Sequence, residues 1–307
     1  MGVLVPVVNL ANVKNVDFLV GPKSTDMSLA LGLARAGALA LAESRAVAVE
    51  LKPGIGGNYT FDELDIPPNV FLRSPSQEVV TLDGQFNFTG AGRRELRNIT
   101  MRQSADKNCL NIEPSGFSVV LLRNGSYQSS AGAGAKSVVE TKVNGILLAS
   151  GTEFLTQGGN PNAVLLQTAG AMSMQNNFLI SQFDFNTPAI EIVAGVMNLA
   201  RGLVQGPVDI NGGALVAEVA TIDAFQLSGL SGTAVTLSNG AVAVLRSMAI
   251  LQADGQNNPV FDDGGGGGGS VFHDQMNVEH FEFTGAGTLF DAGIAVTQLK
   301  ERAGTPI

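Results

Sequence analysis

Residues 163–174 read AVLLQTAGAMSM, and residues 189–199 read AIEIVAGVMNL. Each stretch contains a short run of alternating apolar residues, a small turn with glycine, and a second alternating run. Their first residues are 26 positions apart, and alternation with a period of two is typical of β-strands. The two stretches therefore predict two consecutive turns of a repeat built from strands.

The same pattern recurs along most of the chain. Segments that carry it start 20 to 30 residues apart, at Val79, Cys109, Val138, Ala163, Ala189, Ala214, Ala234, Pro259 and Thr288. Eight of these nine turns contain glycine, and the turn near Ala220 has alanine instead. A third alternating run often follows. Three short strands per repeat, joined by turns of variable length, predict an all-β fold: a right-handed parallel β-helix, in which three sheets form a solenoid.

A run of six glycines interrupts one of these segments, in FDDGGGGGGSVFHD at 261–274. It occupies the position that a single glycine occupies in other repeats. No lysine and no helix follow it, so a phosphate-binding loop is not indicated. We interpret the run as an enlarged corner of the solenoid, because the strand pattern resumes after it.

The region before the first repeat divides into two parts. Residues 24–46 predict a capping helix, with Ser24, Thr25 or Asp26 as its N-cap, that covers the open end of the solenoid. Residues 47–307 then form the parallel β-helix. For residues 1–23 two interpretations stay open, namely attachment to a larger assembly and a simple N-terminal cap.

This order of segments resembles the opening of the pectate-lyase-like right-handed parallel β-helix superfamily. The helix is followed by VAVELKPG, YTFDELDIPPNVFLRSP and VVTLDG, and the match spans residues 24 to 83. The matching residues are Pro53, Gly54, Tyr59, Leu64, Ile66, Pro67, Val70 and Leu72. The resemblance implies the fold. It also implies a class of function, because such modules are frequent in bacteriophage tailspikes, fibres and capsid appendages and in carbohydrate-active enzymes.

Composition limits the function further. The net charge of −9 and the lack of a basic stripe argue against nucleic acid as a partner. The single cysteine, Cys109, excludes an internal disulfide framework and predicts a small buried residue. No apolar stretch is free enough of charge to predict membrane insertion, and no signal peptide is recognisable at MGVLVPVVNL. No cofactor and no metal site are predicted.

The sharpest candidate site is a pair of aspartates. Aligning FDFNTPAI (183–190) with VDINGGAL (208–215) places Asp184 beside Asp209, one turn apart on the outside of the solenoid. Such a pair suits a retaining glycosidase or a cation site, and solvated residues at a corner are the simpler interpretation. The one basic cluster, GAGRRELR at 90–97, is interpreted as a solvated loop.

These observations favour a non-enzymatic structural protein of a bacteriophage virion, either a spike, a fibre or a capsid-decorating protein. AGVMNLARGLV and AVAVLRSMAIL carry more apolar residues than an inward row needs, which favours a homotrimer with buried outer faces. Expected partners are other capsid or tail proteins, with a host-surface polysaccharide as a further candidate. The alternatives are a polysaccharide depolymerase of tailspike type and a bacterial adhesin.

Overall fold

The computed structural model describes most of the chain. It covers residues 16–23, 25–53, 58–76, 80–103, 106–130, 132, 134–183, 187–224, 234–252, 261–262, 270–274, 277–278 and 288–291. Within these ranges the chain forms one α-helix, α1 (Leu29–Glu43), and 27 β-strands.

The strands are short and follow one another closely. The first nine are β1 (Phe18–Val20), β2 (Val47–Leu51), β3 (Asn58–Asp65), β4 (Val70–Arg73), β5 (Thr81–Asn87), β6 (Gly92–Arg97), β7 (Thr100–Gln103), β8 (Leu110–Ile112) and β9 (Ser118–Arg123). The next nine are β10 (Ser126–Ser129), β11 (Val139–Thr141), β12 (Gly145–Ser150), β13 (Glu153–Leu155), β14 (Leu165–Gln167), β15 (Ala171–Ser181), β16 (Ile190–Ile192), β17 (Val196–Gln205) and β18 (Val208–Asn211). The last nine are β19 (Ala214–Glu218), β20 (Thr221–Ala224), β21 (Val235–Ser238), β22 (Val242–Arg246), β23 (Ala249–Gln252), β24 (Phe261–Asp262), β25 (Ser270–Asp274), β26 (Asn277–Val278) and β27 (Thr288–Asp291).

The strands pair in parallel with strands of the next turn and form three sheets. Sheet 1 contains β1, β2, β4, β6, β9, β12, β19, β22, β25, β27 and the first halves of β15 and β17. Sheet 2 contains β7, β10, β13, β20, β23, β26, the first halves of β3 and β5 and the second halves of β15 and β17. Sheet 3 contains β8, β11, β14, β16, β18, β21, β24 and the second halves of β3 and β5. The predicted three-sheet parallel solenoid is confirmed.

Glycines form the corner between sheet 3 and sheet 1, as the repeat predicts. Gly170 and Gly195 occupy this corner in consecutive turns, with φ of +76° and +91°. Gly213 continues the stack, because Val196 pairs with Ala214 and so brings Gly195 beside it. These corners need glycine because the left-handed region is costly for other residues and because the stacked backbones approach closely.

The corner between sheet 1 and sheet 2 is built differently. In seven consecutive turns at least one residue there has a positive φ, and most of these residues are not glycine: Asn98, Asn124, Gly151, Asn176 with Asn177, Arg201, Val219 and Ser247. Asparagine tolerates this conformation better than most residues. Asn98 and Asn124 belong to sequons in the sequence, and their backbone N–H groups donate to the carbonyl oxygens of Arg123 and Ser150 in the next turn.

The number of residues per turn is less uniform than the sequence alignment assumes. Ile190 follows its neighbour Leu165 by 25 residues but precedes its next neighbour, Val208, by only 18. The short turn arises because just Gly206 and Pro207 connect β17 with β18. The predicted alignment of 183–190 with 208–215 is therefore wrong, and the segment at Ala214 belongs to sheet 1 instead of sheet 3. In the correct register the glycine missing near Ala220 is present as Gly213.

The N-terminal helix covers the first turns of the solenoid. It is shorter than the predicted 24–46, because Ser28 is the N-cap and its hydroxyl accepts a hydrogen bond from the Leu31 N–H at 3.3 Å. Asp26 instead pairs with Lys52 at 2.7 Å. Its buried residues are Leu29, Gly32, Leu33, Ala36 and Ala40, which pack near β1 and β2. Strand β1 pairs with β2 and extends sheet 1 below the helix.

The interior of the solenoid is apolar. Inward residues of the three sheets are almost all Leu, Ile, Val, Phe, Met or Ala with no exposed surface. Cys109 is among them, as predicted; its Sγ donates to the Gln128 carbonyl at 3.3 Å, and burial raises the pKa of the thiol. The candidate sites are formed by residues on the outside of the solenoid.

Candidate functional site

The carboxylate nearest to Asp209 in sheet 3 is Glu191. β16 pairs with β18 so that Glu191 and Asp209 are direct neighbours, with Ile190 and Ile192 beside Val208 and Ile210. The two isoleucines and their partners are fully buried, so alternation directs both carboxylates outward. The sequence alignment placed Asp184 beside Asp209, whereas the neighbour of Asp209 in the preceding turn is Glu191. Asp184 itself lies outside the described residues.

The electrostatics of the pair are unfavourable to full ionisation. Burial raises the pKa of Glu191, and the charge of Asp209 raises it further. Burial also raises the pKa of Asp209, while a hydrogen bond from the Ile210 backbone N–H partly offsets this effect. Both side chains are half-buried, and no ion pair with Lys or Arg involves them within the described part of the chain. The pKa of each carboxyl group therefore lies above its ordinary value.

Apart from Leu166, the rest of this outward row is polar, and Glu140 in it lies near a cation. The row contains Asp65, Asn87, Asn111, Glu140, Leu166, Glu191, Asp209 and Thr236 in successive turns. Lys142 contacts Glu113 at 2.6 Å and Glu140 at 3.8 Å. Among the described residues no such cation contacts Glu191 or Asp209, and in this the pair differs from Glu140.

Sheet 1 carries a very different outer surface. Six neighbours in consecutive turns are all apolar, and together they form what we call the sheet 1 stripe: Val119, Ile146, Ala171, Val196, Ala214 and Val242. Each is at least partly exposed, Val196 to 42%. At a spacing of about 4.8 Å per turn the stripe is about 24 Å long. The prediction of apolar outer faces was drawn from two segments that contain Val196 and Val242, and the structure places both in this stripe.

Exposed apolar side chains continue the stripe into the neighbouring corner. Phe117, Val143 and Val193 lie in connections between sheet 3 and sheet 1 and are 57%, 61% and 37% exposed. Large contiguous apolar patches are uncommon on monomeric proteins and mark surfaces that bind another molecule. The apolar residues of this corner were not predicted, because corner residues have no fixed position in the strand alternation.

The basic cluster at 90–97 is not the solvated loop that the sequence suggests. It forms β6, and Arg94 points into the solenoid with no exposed surface. Its guanidinium donates to the carbonyl oxygens of Ile66 and Gly90 and to the Ser118 hydroxyl. Burial lowers the pKa of Arg94 to about 10. Arg94 is therefore a structural residue that joins three successive segments.

The remaining sequence features give no further site. Gly264–Gly269 lie outside the described residues, although β24 and β25 on either side of the glycines continue sheet 3 and sheet 1. Within the described ranges, no three His, Cys, Asp or Glu residues group closely enough to hold a metal ion. In the same ranges no helix has the length and apolar character needed to span a membrane.

Comparison with models of known protein families, with curated proteins and with solved structures gives no match. The fold is thus established by the strand pairing alone. The resemblance of residues 24 to 83 to the pectate-lyase-like superfamily stays a prediction.

Proposed function

We propose that the chain is a non-enzymatic structural subunit of a bacteriophage particle, a spike, fibre or capsid-decorating protein, that assembles as a homotrimer through the sheet 1 stripe. The observation that carries the proposal is the unbroken run of six apolar outward residues from Val119 to Val242. A solenoid of this kind gives an extended, rigid body, which suits a component that projects from or covers a particle.

The stripe supports side-by-side assembly. It runs along the solenoid axis, so copies with parallel axes can bury it over its whole length. The fraction of Val196 that is exposed, 42%, would be removed from water in such a contact. Closed rotational symmetry buries the same surface on each copy and leaves no open end for further growth. Three stripes facing one three-fold axis meet both conditions.

The assembly is tested by substitution in the stripe. Val196→Glu places a charge between Ala171 and Ala214, which are uncharged, so the isolated chain should still fold. Light scattering after size-exclusion chromatography should give three times the chain mass of 31.7 kDa for the wild type and one chain mass for the variant. Gln128→Glu adds the same charge on the outside of sheet 2, beside Arg102, and should stay trimeric. A monomeric wild type, or a trimeric Val196→Glu, contradicts the proposal.

The location in a particle needs a separate measurement. Mass spectrometry of purified bacteriophage particles whose genome encodes the chain should detect it at a copy number divisible by three. Its absence from mature particles would contradict a virion role while leaving the trimer intact. Copy number also distinguishes capsid decoration, with many copies, from a tail component with few.

The pair of Glu191 and Asp209 favours a second candidate, a polysaccharide depolymerase. Two adjacent carboxyl groups, of which Glu191 has its pKa raised by burial and by the charge of Asp209, match the residue types that retaining glycosidases use as acid and nucleophile. Incubation with host capsule or lipopolysaccharide should then release oligosaccharide, and Glu191→Gln and Asp209→Asn should each abolish the release. No release by the wild type, or release that persists in both variants, contradicts this candidate.

A further inference from the structure

A groove of about 590 Å³ lies on the outer face of sheet 1, along the corner to sheet 2. The groove lies at the opposite edge of sheet 1 from the stripe. Its polar residues are at the C-terminal ends of the strands, whereas the stripe residues are at the N-terminal ends. Its wall includes Arg97, Arg123, Asn124, Ser150 and Gln175, and Leu148 contributes apolar surface. None of the described residues that line it is acidic. A volume between 300 and 1,000 Å³ is typical of sites for small molecules.

A buried carboxylate organises the two arginines. Glu95 is 1% exposed and lies beneath the groove, where one oxygen accepts from the Nη2 of Arg97 at 2.9 Å and lies 3.4 Å from the Nε of Arg123. The guanidinium of Arg97 also lies over the ring of Phe71, at 5.1 Å from its centroid. Arg97 and Arg123 therefore have restricted positions, while their side chains remain 38% and 47% exposed. Restricting side chains before binding lowers the entropic cost of holding a ligand.

This groove is positive on a chain whose net charge is −9. Arg73, Arg97 and Arg123 are neighbours in three consecutive turns. Two carboxylates pair with these three cations. Glu50 accepts a hydrogen bond from Arg73 at 2.7 Å, and Glu95 forms ion pairs with both Arg97 and Arg123. Arg97 and Arg123 share the single carboxylate of Glu95, so together these three side chains carry one net positive charge at the groove.

We propose that the groove binds a small hydroxylated anion, a sugar acid or a sugar phosphate, with its carboxylate or phosphate group on the guanidinium groups of Arg97 and Arg123. Guanidinium groups match the oxygens of both anions with paired N–H donors. Ser150 and Gln175 offer hydrogen-bond partners for ligand hydroxyl groups, and Leu148, which is 39% exposed, offers contact for a C–H face. The site goes beyond the proposed structural role and does not rest on trimerisation.

Isothermal titration calorimetry on the full chain tests the site with four probes. Glucuronic acid and glucose 6-phosphate should both bind if the anion is the shared determinant, and the tighter of the two identifies the source of the anion. Glucose should bind at least tenfold more weakly than the tighter anion. Inorganic phosphate should also bind at least tenfold more weakly than glucose 6-phosphate, because it lacks the hydroxyl groups. Equal affinity for phosphate and glucose 6-phosphate would overturn the assignment of a sugar.

Two variants locate the binding. Arg123→Gln removes one guanidinium but leaves Arg97 as a partner for Glu95, and it should weaken binding of the tighter anion at least tenfold. Arg246→Gln lies in the same outward row of sheet 1, outside the groove, and should bind like the wild type. Circular dichroism and molar mass should be unchanged in both variants, which separates a lost site from a lost fold or a lost trimer. Failure of both anions to bind the wild type, or wild-type affinity in Arg123→Gln, would overturn the proposal.

Discussion

A methyl group added to Gly195 would lie 2.2 Å from the carbonyl oxygen of Gly170 in the preceding turn. Heavy atoms cannot approach that closely, so the corner between sheet 3 and sheet 1 requires glycine for space as well as for its φ of +91°. The stacked backbones thus set the distance between consecutive turns at this corner.

Gly195→Ala should therefore destabilise the chain by about 2 kcal/mol or more, because strain at a special backbone position and a steric clash add. Gly240→Ala provides a matched control. Gly240 has a φ of +73° at the corresponding corner, and a methyl group there would contact nothing within 4 Å. Urea unfolding should show a clearly smaller loss for Gly240→Ala. Equal losses would mean that φ alone decides these positions.

Val219 occupies the corner between sheet 1 and sheet 2 with a φ of +53°, and its side chain is 54% exposed. A β-branched residue is strained in this conformation, and little packing offsets the strain. Val219→Asn should raise the free energy of unfolding by about 1 kcal/mol. The control Val216→Asn, within β19, should not stabilise the chain. The explanation fails if thermal unfolding shows Val219→Asn to be no more stable than the wild type.

The pair of Glu191 and Asp209 predicts a pH-dependent stability. The pKa values of both carboxyl groups are higher in the folded chain than the ordinary values of 4.5 for Glu191 and 3.8 for Asp209. When the pH rises above these ordinary values, the unfolded chain loses its protons first, so the folded chain holds more protons than the unfolded chain. Stability then falls with rising pH in that range. Asp209→Asn removes the repulsion and should stabilise the chain at pH 7 by about 0.2–1 kcal/mol, with the gain shrinking toward pH 3.

The control for this prediction is Glu153→Gln, whose neighbours in sheet 2 are the uncharged Ser126 and Leu179. Chemical unfolding across the pH range should show no comparable gain for it. If Asp209→Asn is less stable than the wild type at pH 7, the two carboxylates do not repel each other in the folded chain.

Asn160 joins loops of different turns between sheet 2 and sheet 3. It is fully buried, and its amide donates to the Ser129 hydroxyl at 2.6 Å and the Lys136 carbonyl at 3.1 Å. Its Oδ1 accepts from the Asn162 N–H at 3.0 Å. Asn160→Ala leaves these groups unpaired and should cost about 2–3 kcal/mol in urea unfolding. Asn198→Ala, at an exposed position of sheet 1, should change stability by less than about 0.5 kcal/mol. Similar losses in the two variants would exclude a special role for Asn160.

The alternation and the glycine corners made the fold predictable. They did not predict the register of every turn. The starts at Cys109, Val138 and Ala189 fall at equivalent positions of sheet 3, because their strands and corners have similar lengths. The segment predicted to start at Val79 does not align with these three, because β5 belongs to two sheets. The alignment at Ala214 fails because the connection between β17 and β18 has two residues, and a connection of unusual length leaves no mark in the strand pattern.

The candidate site depended on the register and was therefore only partly predictable. The sequence points to Asp209 but pairs it with Asp184. Its structural neighbour, Glu191, was missed because the sequence pattern does not reveal the short connection between β17 and β18. The groove on Arg97 and Arg123 cannot be predicted from the sequence if the cluster at 90–97 is interpreted as a loop. Alternation in GRRELR places Arg94 inward and Glu95 outward, a signal that is usable once the segment is recognised as a strand. The corner between sheets 1 and 2 has no single residue type and could not be predicted.

The stripe, the groove and the acidic pair all follow from one register of stacked turns, and disulfide formation between introduced cysteines tests that register directly. Neighbours in adjacent strands are within the range of Cα distances that a disulfide spans, and buried Cys109 should not compete. Mild oxidation of Glu191→Cys/Asp209→Cys should give an internal disulfide, detected by mass spectrometry and gel mobility. Glu191→Cys/Val216→Cys, the pair that a uniform 25-residue turn would align, should remain reduced because Glu191 lies in sheet 3 and Val216 in sheet 1. A disulfide in the second protein and none in the first would contradict the register.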